Sequence, residues 1–311
     1  MIAKFFYIIK GKISFANFNI LNSYGGSAAP RVRLCRNSNE LVSDMFAPAS
    51  VIGKLKYLSA DSESPAFHIG EPGQDSKWIG TYEEYAVEIH NGRKDRDTPY
   101  FAEQGFELID HGTTDVDFAS DEAIVADYYP QVIELFRERL GASEVLIFDH
   151  TVRTDAGTEG VRKPARHVHN DYTAASTIQR VIDIVGGDDA VARLRNRFAQ
   201  VNLWRPIENP VFTSPLAVAD AQSVAREDFV KADIIYSDRR GEVYEVLHKD
   251  THRWFYFPEM KPHEAILFRG FDSAEDVSHP FTPHTAFDDP TSLSSTAPRK
   301  SIELRAMAFF D

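Results

Sequence analysis

The second half of the chain is written in short β-rich runs. Residues 198–204, 233–236, 243–247, 253–257 and 265–268 carry β-branched and aromatic side chains with turn residues between them, and residues 301–310 form one more such run. So many strands have many edges, and an unpaired edge is a template for aggregation. A jelly roll, in which two antiparallel sheets face one another, is the natural way to protect them.

The first half reads differently. Residues 85–90 alternate apolar and polar as a half-buried strand should, and 51–58 and 105–108 read as strands as well. From Asp121 a helix carries Val125, Tyr128, Tyr129, Val132, Phe136 and Leu140 at helical spacing until Gly141 ends it, which makes packing the expected work of the two tyrosines. A buried strand at 145–148 runs out through Asp149 and His150 to Arg153, and 166–172 is extended. Ser176 reads as the cap of a helix reaching Val185; Gly186 and Gly187 break it, and Asp188 restarts a second helix with Val191 and Leu194. Strands collect in one half and helices mostly in the other, so the fold class is α+β with a jelly-roll core and flanking helices drawn mostly from the first half.

At 311 residues the chain is long enough for one elaborated domain. Patterning begins near Val51, so residues 1–50 read as an extension and 51–311 as a single domain whose β core starts at about residue 145. Six basic residues precede the first acid, Glu40, and the apolar stretch at 5–9 is too short for a secretory signal. One cysteine, Cys35, excludes disulfide frameworks and cysteine-based metal clusters, and suits a cytoplasmic setting. The net charge of -13 would repel nucleic acid and anionic membrane surfaces, and no run is long enough to span a bilayer. The expected partners are therefore small molecules.

Chemistry concentrates at residues 167–171, His-Val-His-Asn-Asp. In an extended segment residues two apart share a face, so His169 and Asp171 present an imidazole and a carboxylate side by side. With a remote histidine they make the ligand set that holds Fe(II) on one face and leaves the opposite positions open. His284 stands out for that role because it lies in a turn-rich region just ahead of the terminal strand, and His279 competes with it. Alternation also puts Arg299, Ser301, Glu303 and Arg305 on one face of the last strand. A planar guanidinium there suits a dicarboxylate such as 2-oxoglutarate, although arginines on a strand also pair with an acidic surface.

Several phrases carry a family resemblance: Phe148-Asp149-His150-Thr151-Val152-Arg153, His169-Asn170-Asp171-Tyr172-Thr173, Asn202-Leu203-Trp204-Arg205-Pro206, Pro283-His284-Thr285-Ala286-Phe287 and Pro298-Arg299-Lys300-Ser301-Ile302-Glu303-Leu304-Arg305. In order and spacing, from about Val51 to the end, the chain resembles the fungal and bacterial hydroxylase/desaturase family of oxygenases. That family includes the gibberellin desaturase and proteins of cephamycin methoxylation clusters. The resemblance implies a double-stranded β-helix of cupin type, Fe(II) held by His169, Asp171 and His284, and 2-oxoglutarate as co-substrate, with the arginine and serine of its grip falling on Arg299 and Ser301. Arg305 is grouped with them as a co-substrate residue. It also implies O2 as reactant and hydroxylation or desaturation of a small secondary metabolite or amino-acid-derived compound. Arg269 departs from the lysine expected at its place.

The run at 202–205 reads as lining the barrel, which makes Asn202, Trp204 and Arg205 candidates for contact with substrate or co-substrate. Trp204 fits the core equally, and Arg205 fits an internal salt bridge. Arg153, at the end of a barrel strand, is a further candidate anion holder. His167, one step beyond the His169–Asp171 pair, reads as structural or supporting. Two other functions fit the residues: a cupin-type metal enzyme that does not use 2-oxoglutarate, and a non-catalytic accessory protein of a biosynthetic cluster.

Overall fold

The computed structural model describes residues 2–9, 12–19, 48–69, 77–94, 99–158, 161–292 and 297–311. Cys35 lies outside them. The chain divides into two units, Met1–Pro48 and Ala49–Asp311. In the first, β1 (Ile2–Ile9) and β2 (Lys12–Asn19) pair antiparallel. The sequence reading of a patternless extension missed this pair.

The second unit begins with β3 (Ser50–Leu58), β4 (Ala66–His68), β5 (Lys77–Ile79), β6 (Tyr82–Asn91) and β7 (Phe106–Asp110). After a long helical stretch come β8 (Glu144–Thr154) and β9 (His169–Asn170), then helices Ala174–Val185 and Gly187–Arg193. The remaining strands are β10 (Phe198–Pro206), β11 (Leu216–Ala219), β12 (Phe229–Ile235), β13 (Arg240–Val246), β14 (Trp254–Tyr256), β15 (Glu264–Asp272), β16 (His284–Ala286) and β17 (Lys300–Phe309).

They make two sheets. One has five strands in the order β7-β15-β10-β17-β8; the other has ten, in the order β3-β6-β14-β11-β16-β9-β13-β12-β4-β5. Followed along the chain, β8, β10, β15 and β17 belong to the first sheet, and β9, β11, β14 and β16 to the second. This exchange between facing sheets is the double-stranded β-helix, the jelly-roll core expected from the strand-rich second half. The ten-stranded sheet also curls until β3 returns toward β13, through a Leu58–Leu247 bridge and the Val168 N–H donating to the Lys56 carbonyl at 2.8 Å. It thereby closes over an apolar core of its own, which includes Leu55, Tyr57, Ile89, Val168, Val246, Trp254 and Phe287. That core steadies the sheet that carries the two histidines of interest.

The helices obey local capping chemistry more closely than the sequence reading allowed. Helix Ala174–Val185 starts from Thr173, not Ser176. Thr173 Oγ1 accepts from the Ser176 N–H at 3.0 Å while Ser176 Oγ accepts from the Thr173 N–H at 2.9 Å, so Ser176 is the reciprocal third member of a capping box. The helical stretch after Ser120 continues to Leu140 but passes through one π turn, Ile124–Tyr128. Such a turn inserts an extra residue, and here it accompanies two consecutive buried tyrosines, Tyr128 and Tyr129. Gly141, at φ 69°, closes the stretch in the left-handed conformation that glycine takes without strain. The helix Tyr129–Leu140 packs against β8 and β17 on the face away from the second sheet.

Candidate metal centre

His169, Asp171 and His284 converge, with one ligand atom from each lying within 4.8 Å of the others. β9 and β16 bring this about: His169 and His284 are directly paired across the two strands, and their ring centroids stand 4.5 Å apart. Asp171 follows β9 immediately, with Oδ1 3.7 Å from His169 Nε2. Each imidazole is turned by its other nitrogen. His169 Nδ1 donates to the His167 carbonyl at 2.8 Å, and His284 Nδ1 donates to the Thr282 carbonyl at 3.3 Å. A histidine whose Nδ1 carries the proton offers the Nε2 lone pair, which is how metal-ligating imidazoles are usually oriented.

Charge in the cluster is sorted. Burial, and after it the neighbouring His284 and His167, hold His169 well below the usual imidazole range, so its ring is neutral at pH 7. Burial works in the opposite direction on Asp171, but the Arg305 charge, the two imidazoles and the Arg305 hydrogen bond outweigh it and keep the carboxyl well below the ordinary range. A neutral His169 imidazole, a second histidine nitrogen and an ionised carboxylate oxygen in a partly enclosed site are what a divalent first-row metal needs. His279 is not among the residues brought together here; its carbonyl instead accepts from Arg269 Nη2 at 2.7 Å.

The facing sheet grips Asp171. Asn202 Nδ2 on β10 and Arg305 Nε on β17 donate to Asp171 Oδ2 at 2.7 and 2.8 Å. Arg305 also reaches Asp149 at 2.9 Å and Glu303 at 3.1 Å. The sequence grouped Arg305 with the co-substrate residues and Asn202 with possible substrate contacts. In the structure both contact the Asp171 carboxylate, because the odd-numbered face of β17 and the even-numbered face of β10 look across the sandwich at β9. Glu303 shares that face and was not singled out. A lone glutamate in a strand pattern looks like a solvated position, and nothing in the sequence marks it as buried.

Arg299 and Ser301 lie further along the same face. Arg299 is buried against the Trp204 ring, 5.2 Å from its centroid, and Nη1 donates to the Ser214 carbonyl. Its Nε and the Ser301 hydroxyl are both buried and have no partner among the described residues. Burial, and after it the neighbouring Arg153 charge, pulls the Arg299 guanidinium down to about 9, so it is still charged at neutral pH, and among the described residues no carboxylate forms an ion pair with it. A cation and a hydroxyl left open side by side form a receptor for a carboxylate. Arg153 stands directly across the sheet from Ser301, with Nη1 donating to the Lys163 carbonyl at 2.8 Å. Trp204 packs in the apolar layer between the sheets, with Phe255, Ile266 and Phe268, and serves as the floor beneath Arg299.

Arg205 is a correction. Neighbours in a strand point to opposite faces, so Trp204 and Arg205 cannot both line the barrel. Arg205 is buried on the outer face, where its guanidinium sits 5.6 Å from the Tyr128 ring and 5.7 Å from Phe118, with Nη1 3.3 Å from His111 Nδ1. Burial, and after it the Arg205 charge, lowers His111 to about 4, so the imidazole is neutral and accepts from the guanidinium. His167 supports its neighbour: Nδ1 lies 3.0 Å from Glu245 Oε2, and its carbonyl orients His169. Glu245, fully buried and paired across from His169, is a second acid that its place in an ordinary strand pattern concealed.

By fold and donor set the chain is a jelly-roll protein with a site of the two-histidine, one-carboxylate kind. Comparison with known proteins carries this to a family. The model described as oxidoreductase/YMDC permease-like domain matches residues 55–309. The Fe(II)/2-oxoglutarate-dependent dioxygenase nvfI of Aspergillus novofumigatus is 30% identical over 240 residues, which are 72% of this chain and 83% of that protein. The hydroxylase/desaturase efuI of Hormonema carpetanum is 29% identical over 234 residues, covering 67% and 78%. Among solved structures, a variant of the iron and alpha-ketoglutarate-dependent endoperoxidase NvfI aligns with a TM-score of 0.76 at 26% identity, covering 85% of this chain and 98% of that one. The chain belongs to this family of Fe(II)/2-oxoglutarate-dependent oxygenases. No helix among the described residues is long and apolar enough to cross a membrane.

Proposed function

We propose that the chain is an Fe(II)- and 2-oxoglutarate-dependent oxygenase that uses O2 to hydroxylate or desaturate a small secondary metabolite or amino-acid-derived compound. Residues 51–311 act as its single oxygenase domain, and a cytoplasmic setting suits its single cysteine. His169, Asp171 and His284 hold the iron, while Arg299 and Ser301 receive the distal carboxylate of 2-oxoglutarate, with Arg153 adding positive charge beside them. The observation that carries this reading is the pairing of the three-residue cluster with the two open buried donors, Arg299 Nε and Ser301 Oγ. The bound metal would supply oxidative decarboxylation of the co-substrate coupled to removal of hydrogen from a C–H bond. The protein's own work is to keep the His169 imidazole neutral, hold Asp171 ionised, orient the dicarboxylate and exclude water between the sheets.

The test is anaerobic addition of Fe(II) and then 2-oxoglutarate. A weak visible charge-transfer band is expected on the second addition, and succinate on admitting air. A protein that gives neither is not this oxygenase. In the same assay Arg205→Met is expected to leave the midpoint for 2-oxoglutarate within about two-fold of wild type, because its guanidinium packs on the outer face against Tyr128, Phe118 and His111. A large rise in that midpoint would return Arg205 to the site.

A further inference from the structure

With Asp171 as an iron ligand, the reading on which this inference rests, the contacts around its carboxylate constrain how it can bind. A carboxylate oxygen has two in-plane lone pairs. Both lone pairs of Asp171 Oδ2 are taken, by Asn202 Nδ2 at 2.7 Å and Arg305 Nε at 2.8 Å, while Oδ1, turned toward His169, has only a long contact to Arg305 Nη2 at 3.4 Å and keeps a lone pair. The Asn202 amide is held in turn. Its second hydrogen goes to Glu303 Oε1 at 2.7 Å, and its oxygen accepts from Gln200 Nε2. Turned over, the amide would set its oxygen against two carboxylates, so Glu303 fixes which way Asn202 points. The other oxygen of Glu303 sits 3.1 Å from Arg305 Nη2, which ties the second donor into the same arrangement.

We propose that Glu303, Asn202 and Arg305 form a denticity lock: they keep Asp171 Oδ2 occupied so that the metal is bound through Oδ1 alone. The position a second carboxylate oxygen would take is then left for 2-oxoglutarate. A metal with three protein donor atoms keeps three of six octahedral positions, whereas a chelating carboxylate leaves two, too few for a bidentate co-substrate and O2 together. All three are positioning residues. They act through Asp171 and are not themselves ligands.

The test uses Co(II), which reports coordination in its visible spectrum, in the full-length wild type and in Asn202→Ala and Glu303→Gln. The glutamine is nearly isosteric but sets an amide nitrogen against either Asn202 Nδ2 or Arg305 Nη2. Each protein is titrated with Co(II) and then with 2-oxoglutarate, and its folding is checked by thermal melting. Both variants are expected to retain one Co(II) with a changed visible spectrum and to bind 2-oxoglutarate about 10- to 100-fold more weakly, the usual scale for residues that orient metal ligands. Unchanged 2-oxoglutarate affinity overturns the lock. So does loss of Co(II) in parallel with 2-oxoglutarate, which would mean that the residues serve metal affinity alone. If Asn202→Ala does not fold, Glu303→Gln decides. A wild type that takes up no Co(II) overturns the iron reading itself, and the lock with it.

Discussion

Asp171→Ala is expected to take up no Fe(II) and to release no succinate from 2-oxoglutarate, while still folding. The carboxylate supplies the only negative charge of the candidate ligand set, and two imidazoles 4.5 Å apart cannot replace it for a hard divalent ion. The cost to the fold is smaller than the cost to function. Arg305 loses its contacts to Asp171 but keeps Asp149 at 2.9 Å and Glu303 at 3.1 Å, so the guanidinium is not stranded. Removing one partner of a charged hydrogen bond in such a network costs about 1–3 kcal/mol, a tolerable part of a total of about 5–15 kcal/mol. His169→Ala is the control, since it should lose the metal without disturbing any charge pair. Metal analysis after gel filtration and a thermal melt on each variant check both statements. One equivalent of iron retained by Asp171→Ala would remove Asp171 from the ligand set.

Arg299→Met should separate the metal from the co-substrate. Fe(II) uptake is expected to match wild type, because Arg299 touches none of the three ligands. The 2-oxoglutarate concentration for half-maximal succinate release should rise by roughly 100-fold, from the loss of about 3 kcal/mol in a buried charge-assisted contact. The apo protein should lose little stability, since the guanidinium is buried without a carboxylate partner among the described residues and methionine fills similar volume above Trp204. Stability measured with and without 2-oxoglutarate gives a second readout: the ligand-induced rise in melting temperature, present in wild type, should shrink at the same ligand concentration. Turnover unaffected by the substitution would favour a metal enzyme of this fold that does not use 2-oxoglutarate.

Much of the site was legible because strands write their geometry in steps of two. His169 with Asp171, and Arg299 with Ser301, share faces by alternation alone, and the structure brings His284 rather than His279 to the first pair. The same rule, applied consistently, would have excluded Arg205 from the face that holds Trp204. What alternation cannot give is the partner across the sandwich. That Asn202 and Arg305 would meet on one oxygen of Asp171, and that Glu303 would be buried between them, depends on two sheets approaching face to face, which a single sequence does not encode locally. Short elements escaped for a different reason. β4 and β5 have three residues each, too few to show a period; β4 exists because the β12 edge is there to pair with, and β5 because β4 is. The start of helix Ala174–Val185 was misplaced because Thr173 and Ser176 are both good caps, and only their reciprocal hydrogen bonds distinguish the cap from its third residue.

The position of β17 has a consequence for how the protein is made. It lies between β10 and the edge strand β8 in the five-stranded sheet, so β8 has no strand partner in that sheet until residues 300–309 emerge from the ribosome. Arg305 is 134 residues downstream of the carboxylate it holds. Asp171 therefore exists without its guanidinium while all the intervening chain is made, and His284 on β16 arrives only shortly before that guanidinium. Pairings over such distances form slowly, and an unclosed sheet exposes strand edges in the meantime. Completion of the candidate metal site is thus tied to the arrival of β17, and metal given to the chain before then would meet a carboxylate still free to turn.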